Sequence, residues 1–485
     1  MPEGRLFIGG EFCDSLDGGR FPTINPATEL PIIDVDEAGP RDVDAAVSSA
    51  QQAFEEWRGL DAKDRGKILW AIGEAVETAG TDLAQLDCVD SGKPINDAHE
   101  DVHAAVGMFR YFAGMADKIE GRTIPASDHK LVYTIREPFG VFAAITAWNY
   151  PLFNACAKIA PVLAAGNACV LKPAEETPLT ALLLAQTIAS VDGVPPGLVN
   201  VINGLGETTG ALLVGHPGIS RVTFTGSTAT GSELLRNVGS TTIKGLTLEL
   251  GGKAPVVVFA DANLEAAANA IAFSAFFNQG QTCTAATRVI VHRDVHDALL
   301  DMLAEQARGV QVGDPSSGDT VLGPLISRSQ YEKVVGYLER AEAAGTWPVC
   351  GGYGRPLEPG FYLSPTIYDG VPANNEMFQD EIFGPILLVN EFDTVQEAVA
   401  LANNSRYGLA ASVWTRDVFA LHRMAKDLRA GIIWSNTLFS EFPGAPAGGV
   451  GSSGFGREYG FDTMNEYTQV KTVWVNLDDA YDRWV

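Results

Sequence analysis

Cys283 closes the stretch FFNQGQTC, residues 276–283, where a polar, glycine-containing loop follows a long alanine-rich apolar segment. A thiolate in such a loop can attack a carbonyl carbon, and backbone amides there can face the negative charge that develops. Most cysteines are only small buried hydrophobes, so a catalytic reading needs partners. Asn149 in AWNYP follows an apolar run and can donate its amide to an oxyanion, although capping the turn before Pro151 is an equally simple use. Glu249 in LELGGK is a lone carboxylate among apolar residues. Its ionisation is disfavoured there and it can act as a base toward water, the plainer alternative being a buried salt bridge.

A second set of residues suits a nucleotide. Lys172 and Glu175 in LKPAEETP leave a strand together, and that pair fits the adenosine ribose hydroxyls of a dinucleotide, the plainer alternative being a solvated loop pair. A carboxylate at that place disfavours a 2'-phosphate, so NAD is expected over NADP. FTGSTATG sets Gly226 and Ser227 after a strand and before a helix, where amides and a hydroxyl can meet a pyrophosphate. Neither it nor GLGETTG, residues 204–210, is the GxGxxG fingerprint.

These residues need strands and helices to hold them. Between residues 140 and 260 the runs GVFAAITAW, NACVLK, GLVNVING, RVTFTG and LTLEL recur with helical stretches between them, the pattern of βαβ units in a parallel sheet. TPLTALLLAQTIASVDG reads as one such helix, with Thr177 as N-cap, Pro178 at the first helical position and Gly193 as the stop. A second series runs through KAPVVVF, ATRVIVH, GPILLVNEF, ASVWT and GIIWSN. Two helical patterns, VDAAVSSAQQAFEEW and AKDRGKILWAIGEAVETAG, precede the first series and can cover its sheet. Segments near 121–138 and 465–477 have strand composition and fit neither series, as a pair of oligomer-contact strands would, an ordinary surface hairpin within one chain being the alternative.

At 485 residues the chain calls for two or three domains. Sixty acidic residues against 34 basic ones give a formal charge of −26, which repels phosphate backbones and anionic membranes and argues against nucleic-acid or membrane partners. Its plain meaning is solubility, in a salty cytoplasm among other settings. The six cysteines are scattered without CxxC pairs or histidine partners, so neither a disulfide framework nor a metal site is expected. Without an uninterrupted apolar run or an apolar signal core, a cytoplasmic location is expected.

AWNYP, KPAEETP, FTGST, LELGGK, FFNQGQTC, DEIFGP and GFGRE stand in the order and spacing of the aldehyde dehydrogenase superfamily, which the chain resembles along essentially its whole length. The resemblance implies an α/β fold of two doubly wound domains plus a small β oligomerisation element. The division expected is 1–118 with 139–250 for NAD binding, 251–451 for catalysis, and 119–138 with 465–477 for the oligomer strands of a homodimer or homotetramer. It implies NAD(P)-dependent oxidation of a small-molecule aldehyde to a carboxylic acid, with Cys283 as nucleophile, Asn149 and the Cys283 amide as oxyanion hole, and Glu249 as base. Lys172 and Glu175 resemble the ribose contacts, Gly206, Gly210, Gly226 and Ser227 the pyrophosphate surroundings, and Trp148 a lining residue. Glu381 and Phe383 in DEIFGP are similar to contacts of the nicotinamide ribose and ring, and Glu458 in GFGRE to an acidic residue given a proton-relay role. The branch that passes its acyl group to coenzyme A lacks the glutamate kept here, so a free acid is expected.

The substrate tunnel of such a protein is lined by the positions of Tyr150, Asn154, Ala157, Phe277 and Ala447. Betaine aldehyde dehydrogenases resemble the chain too, with a box of aromatic faces around a trimethylammonium group. Tyr150 and Phe277 supply two faces, whereas alanines at 157 and 447 leave room for a bulkier, elongated or aromatic aldehyde. Of the rival classes, a thiol esterase needs a histidine base, and none of the seven histidines has a family place beside Cys283. A non-catalytic relative would be marked by loss of Cys283, Asn149 or Glu249, and all three are present.

Overall fold

The computed structural model describes residues 2–440 and 442–478. Its largest sheet has eight strands, with five parallel ones at its centre. Across the sheet those five are Gly245–Glu249, Arg221–Thr225, Val141–Ile145, Ala168–Lys172 and Val199–Val201. The strand Val141–Ile145 is buried at all five residues, as an unbroken apolar run covered on both faces must be. Antiparallel strands close both sides: Leu6–Ile8 and Glu11–Cys13 beyond Val199–Val201, and the two-residue Gly454–Phe455 beside Gly245–Glu249. The last pairing returns the C-terminal segment to the first sheet.

Helices cover that sheet. Pro40–Arg58 begins with proline at its first position, and the Asp42 carboxylate accepts from the Gly39 amide at 3.0 Å. Its stripe Val43, Ala46, Val47, Ala50, Ala53 and Trp57 lies buried in the same core as the strands, where Trp57 donates to the Leu163 carbonyl at 2.9 Å. The helix expected from Thr177 runs instead from Leu179 to Ala189, with Pro178 as its N-cap. The cap comes from tertiary structure: the Asp90 carboxylate of helix Gly80–Ser91 accepts from the Leu179 amide at 3.0 Å. Gly193, at φ 88°, closes the turn after the helix rather than the helix itself.

The second sheet has six strands, all parallel, in the order Thr366–Asp369, Ile386–Phe392, Ala286–His292, Ala254–Val258, Ala410–Trp414, Ile432–Ser435. A third, antiparallel sheet joins Thr468–Asn476 to the hairpin Thr123–Ser127 and Lys130–Pro138. The segment from 465 thus begins in the short helix Thr463–Tyr467 before it becomes strand.

Candidate active site

Register places the ends of the first sheet's strands in line. Ile145 pairs with both Lys172 and Phe224, and Thr225 with Glu249. Strand order reverses between Val141–Ile145 and Arg221–Thr225, the point at which open α/β sheets bind ligands. Trp148 and Asn149 follow the first of these strands, Gly226 and Ser227 the second. All four line one cavity with Glu249, and the second sheet's segments add Cys283, Glu381 and Phe383 to it.

The nucleophile's loop has an enforced shape. After helix Leu264–Phe276, Asn278 and Gln279 take φ of 49° and 59°, and Gly280 takes 68°. A Cβ on Gly280 would lie 2.2 Å from the Gly384 carbonyl oxygen, so only glycine fits. Asn278 donates its side-chain amide to the Asn149 carbonyl at 2.9 Å, and Asn149 Nδ2 donates to the Gln281 carbonyl at 3.0 Å. These bonds stitch the loop of one sheet to that of the other. An amide nitrogen carries two hydrogens, so the bond to Gln281 still allows Asn149 to donate to an oxyanion at Cys283. The Tyr150 and Thr282 hydroxyls share a further bond of 2.7 Å beside the cysteine.

Glu249 Oε1 is buried and has no hydrogen-bond partner among the described residues. Burial holds this carboxyl well above the usual carboxylate range, and the charge of Glu458 pushes the same way against Lys158 and Arg457. Lys158, fully buried, donates to Thr223 Oγ1 at 3.1 Å and pairs with the Glu458 carboxylate. A Cβ on Gly448 would come within 2.8 Å of Glu249 Oε1, so a bare backbone leaves that oxygen its space.

The structure tests the fit of a dinucleotide through its own groups. Trp148 and Phe383 meet edge to face with centroids 5.2 Å apart, and Phe383 holds φ 62°. Glu381 Oε1 accepts from the Gly252 amide at 2.8 Å, and a Cβ on Gly251 would lie 2.1 Å from Oε2. Ser227 caps helix Thr228–Thr241 by accepting from the Thr230 amide. An aromatic wall, a cradled carboxylate and a helix N-terminus in one cavity suit the groups of a dinucleotide. Lys172, Glu175, Gly206 and Gly210 lie outside the lining that holds Cys283. Lys172 Nζ is 3.4 Å from Glu175 Oε2, and a Cβ on Gly210 would touch Lys172 Cδ at 3.6 Å, so three of the four form one neighbouring stretch. Burial lowers the pKa of Lys172 against the opposing pull of Glu175.

On the substrate side, Tyr150, Asn154 and Phe277 line the cavity as expected, but the two alanines do not. Ala157 is buried in the core of the first sheet. Ala447 exchanges both backbone bonds with Glu458, at 2.8 and 2.9 Å. The room expected at those positions is therefore not part of the cavity, whose walls include Phe153, Phe439 and Tyr459 instead. Gln330 and Lys333 also reach it, donating to the carbonyls of Phe383 at 2.7 Å and Glu381 at 3.3 Å. Phe153, three residues after Tyr150 at the start of a helix, carried a readable signal; the other four come from distant segments and carried none.

The aldehyde dehydrogenase family pattern matches residues 12–473. Retinaldehyde dehydrogenase 3 of Mus musculus is 42% identical over 479 residues, which cover 98% of this chain and 93% of that one. An aldehyde dehydrogenase from Bacillus cereus, solved as its NAD+ complex, superposes with a TM-score of 0.95 at 41% identity, covering 98% of this chain and 96% of that one. A betaine aldehyde dehydrogenase from Staphylococcus aureus, solved in complex with NAD+, gives 0.96 at 34% identity with both chains fully covered.

Proposed function

The chain belongs to the aldehyde dehydrogenase family, oxidoreductases that act on aldehydes with NAD(P), and from that membership we propose its particular reaction. It oxidises a bulky, elongated or aromatic aldehyde to the free carboxylic acid with NAD, through a thiohemiacetal and a thioester on Cys283. The observation that carries the chemistry is the meeting of Cys283, Asn149 and Glu249 in one cavity with Trp148, Glu381 and Phe383; with both alanines outside the cavity, the substrate class rests instead on its aromatic walls, Phe153, Phe277, Phe439 and Tyr459.

Cys283 attacks as thiolate: its sulfur bonds to the carbonyl carbon and the π pair moves onto oxygen. Asn149 Nδ2 and the Cys283 amide hold that oxyanion. A nicotinamide bound beside Trp148 and Phe383 supplies the acceptor for the hydride lost when the oxyanion collapses. Glu249 then takes a proton from water, whose oxygen attacks the thioester carbon, and the cysteine leaves as thiolate. Lys172 and Glu175 hold the adenosine ribose, Gly206, Gly210, Gly226 and Ser227 surround the pyrophosphate, and Glu381 holds the nicotinamide ribose. A carboxylate at Glu175 supports NAD over NADP.

Residues 1–118 with 139–250 form the NAD-binding domain in this reading, and 251–451 the catalytic one. Strands within 119–138 and 465–477 make the contacts of a homodimer or homotetramer. The strand Thr123–Ser127 is exposed at all five residues, which supports that role. No helix among the described residues is long and apolar enough to cross a membrane, in keeping with a cytoplasmic setting.

A quaternary-ammonium aldehyde is the second reading, favoured by the stacked rings of Tyr150 and Phe277, 6.5 Å between centroids, in the cavity wall. NADH formation at 340 nm across short aliphatic, long aliphatic, aromatic and quaternary-ammonium aldehydes, beside Cys283→Ala, tests both. Bulky or aromatic aldehydes should rank first and the variant should be inert. Preference for the quaternary ammonium would select the second reading, and silence throughout would remove the first.

A further inference from the structure

Seven non-glycine residues of the described chain hold a positive φ, and two of them are aromatics on the substrate side of the cavity: Phe439 at 54° and Tyr459 at 60°. That conformation costs a bulky residue energy and persists only where its surroundings impose it, often at functional sites. The surroundings are visible for both. Tyr459 follows Glu458, whose backbone is fixed to Ala447 by two hydrogen bonds. On its other side a Cβ on Gly460 would lie 2.9 Å from Pro446 Cδ, so the two segments touch closely there. The Tyr459 ring meets Phe153 of helix Pro151–Ala164 at 6.1 Å. The Phe439 ring stacks on Trp434 at 6.2 Å and meets Phe277 at 5.9 Å and Phe273 at 6.0 Å. Two ring groups from separate elements are thus fixed onto one cavity, each through a residue in a costly backbone conformation.

We infer that Phe439 and Tyr459 are the specificity-determining residues of the aldehyde site, presenting flat faces to a planar aromatic substituent of the substrate. The inference rests on the proposed aldehyde oxidation and deepens it. Neither ring is among the groups assigned to bond making, Cys283, Asn149 and Glu249, so their effect belongs to binding of the substituent. Changing either residue to glycine removes a face and, at the same time, the backbone strain.

The experiment measures kcat/KM for benzaldehyde and propanal in the full-length protein and in Phe439→Gly and Tyr459→Gly. Each variant should lower the benzaldehyde-to-propanal ratio about tenfold, mainly through KM. Tyr459→Phe and Phe439→Tyr keep a face and should keep the ratio. Each glycine variant should also melt above the matching alanine variant, because alanine retains the strained φ. If a glycine variant does not fold, Phe439→Leu and Tyr459→Leu carry the same comparison. An unchanged ratio in folded variants overturns the inference. A wild-type protein that reduces NAD with no aldehyde removes the underlying reading instead.

Discussion

In the proposed reaction Glu249 meets two opposed demands: a carboxyl oxygen buried away from hydrogen-bond partners among the described residues and a charge that can take a proton. Burial favours its neutral form, so the fraction able to act as base grows as pH rises through and beyond the ordinary carboxylate range. Steady-state NADH formation should therefore rise with pH well past that range. Glu249→Gln should reduce turnover by roughly 10²- to 10⁴-fold while leaving a single burst of NADH, since the thioester still forms. Rapid-mixing absorbance at 340 nm separates the two: loss of the burst as well would move Glu249 out of the hydrolytic step. Asn149→Ala acts earlier and should lower the burst rate itself, by roughly 10²- to 10³-fold if its amide holds the oxyanion. In the sequence Glu249 reads as a base or as half of a buried salt bridge, and Asn149 as an oxyanion donor or a turn cap. Its bonds to the cysteine's loop, donated to the Gln281 carbonyl and accepted from Asn278, tie it to the cysteine across the two sheets.

Among the elements, parallel strands such as Val141–Ile145 and Ala254–Val258 were readable because burial on both faces makes them unbroken apolar runs between loops. The strands Gly19–Asn25 and Leu30–Glu37, half exposed and charged, lacked that signal. Helix Gly80–Ser91 was hidden for another reason. It buries Asp87 and Asp90, which a pattern of apolar periodicity counts as solvent-facing. Asp90 serves as the cap of Leu179, and Asp87 accepts from the Thr180 hydroxyl at 2.5 Å. Burial raises Asp87 to about 6, with Lys93 opposing. An unfolded aspartate titrates near ~3.9, so between there and about 6 the folded protein holds a proton the unfolded chain has lost. Stability present below that window should be lost as pH rises through it, by roughly 3 kcal/mol from this group at most. Asp87→Asn keeps the shape without the titration, so its denaturation midpoint should gain on wild type from pH 4 to pH 7. A constant difference across that range would show that Asp87 does not titrate there.

For the whole molecule, charge and assembly act against each other. At −26 per chain, two copies repel, and the repulsion between exposed charges is screened within about 10 Å at 0.1 M salt. If copies associate as proposed, apolar surface has to offset that repulsion, and the three-stranded sheet offers some. Ile124 on the hairpin shares one face of that sheet with Val470 and Trp474 of the paired strand, with Trp474 65% exposed, while Leu131, Ile135 and Val475 are exposed on the opposite face. The face that holds Trp474 is the one the proposed oligomer contact would use. If that sheet joins the copies, salt should strengthen the assembly by screening the repulsion while leaving the apolar contact intact. Light scattering on a sizing column should then show the oligomer share rising from 10 mM to 500 mM NaCl, and activity should persist at molar salt. Trp474→Asp places one more negative charge at the centre of the contact and should give single chains at every salt concentration. An oligomer that survives this variant would move the contact elsewhere on the molecule. An oligomer that dissociates as salt rises would show that ion pairs, and not the apolar sheet, hold the copies together.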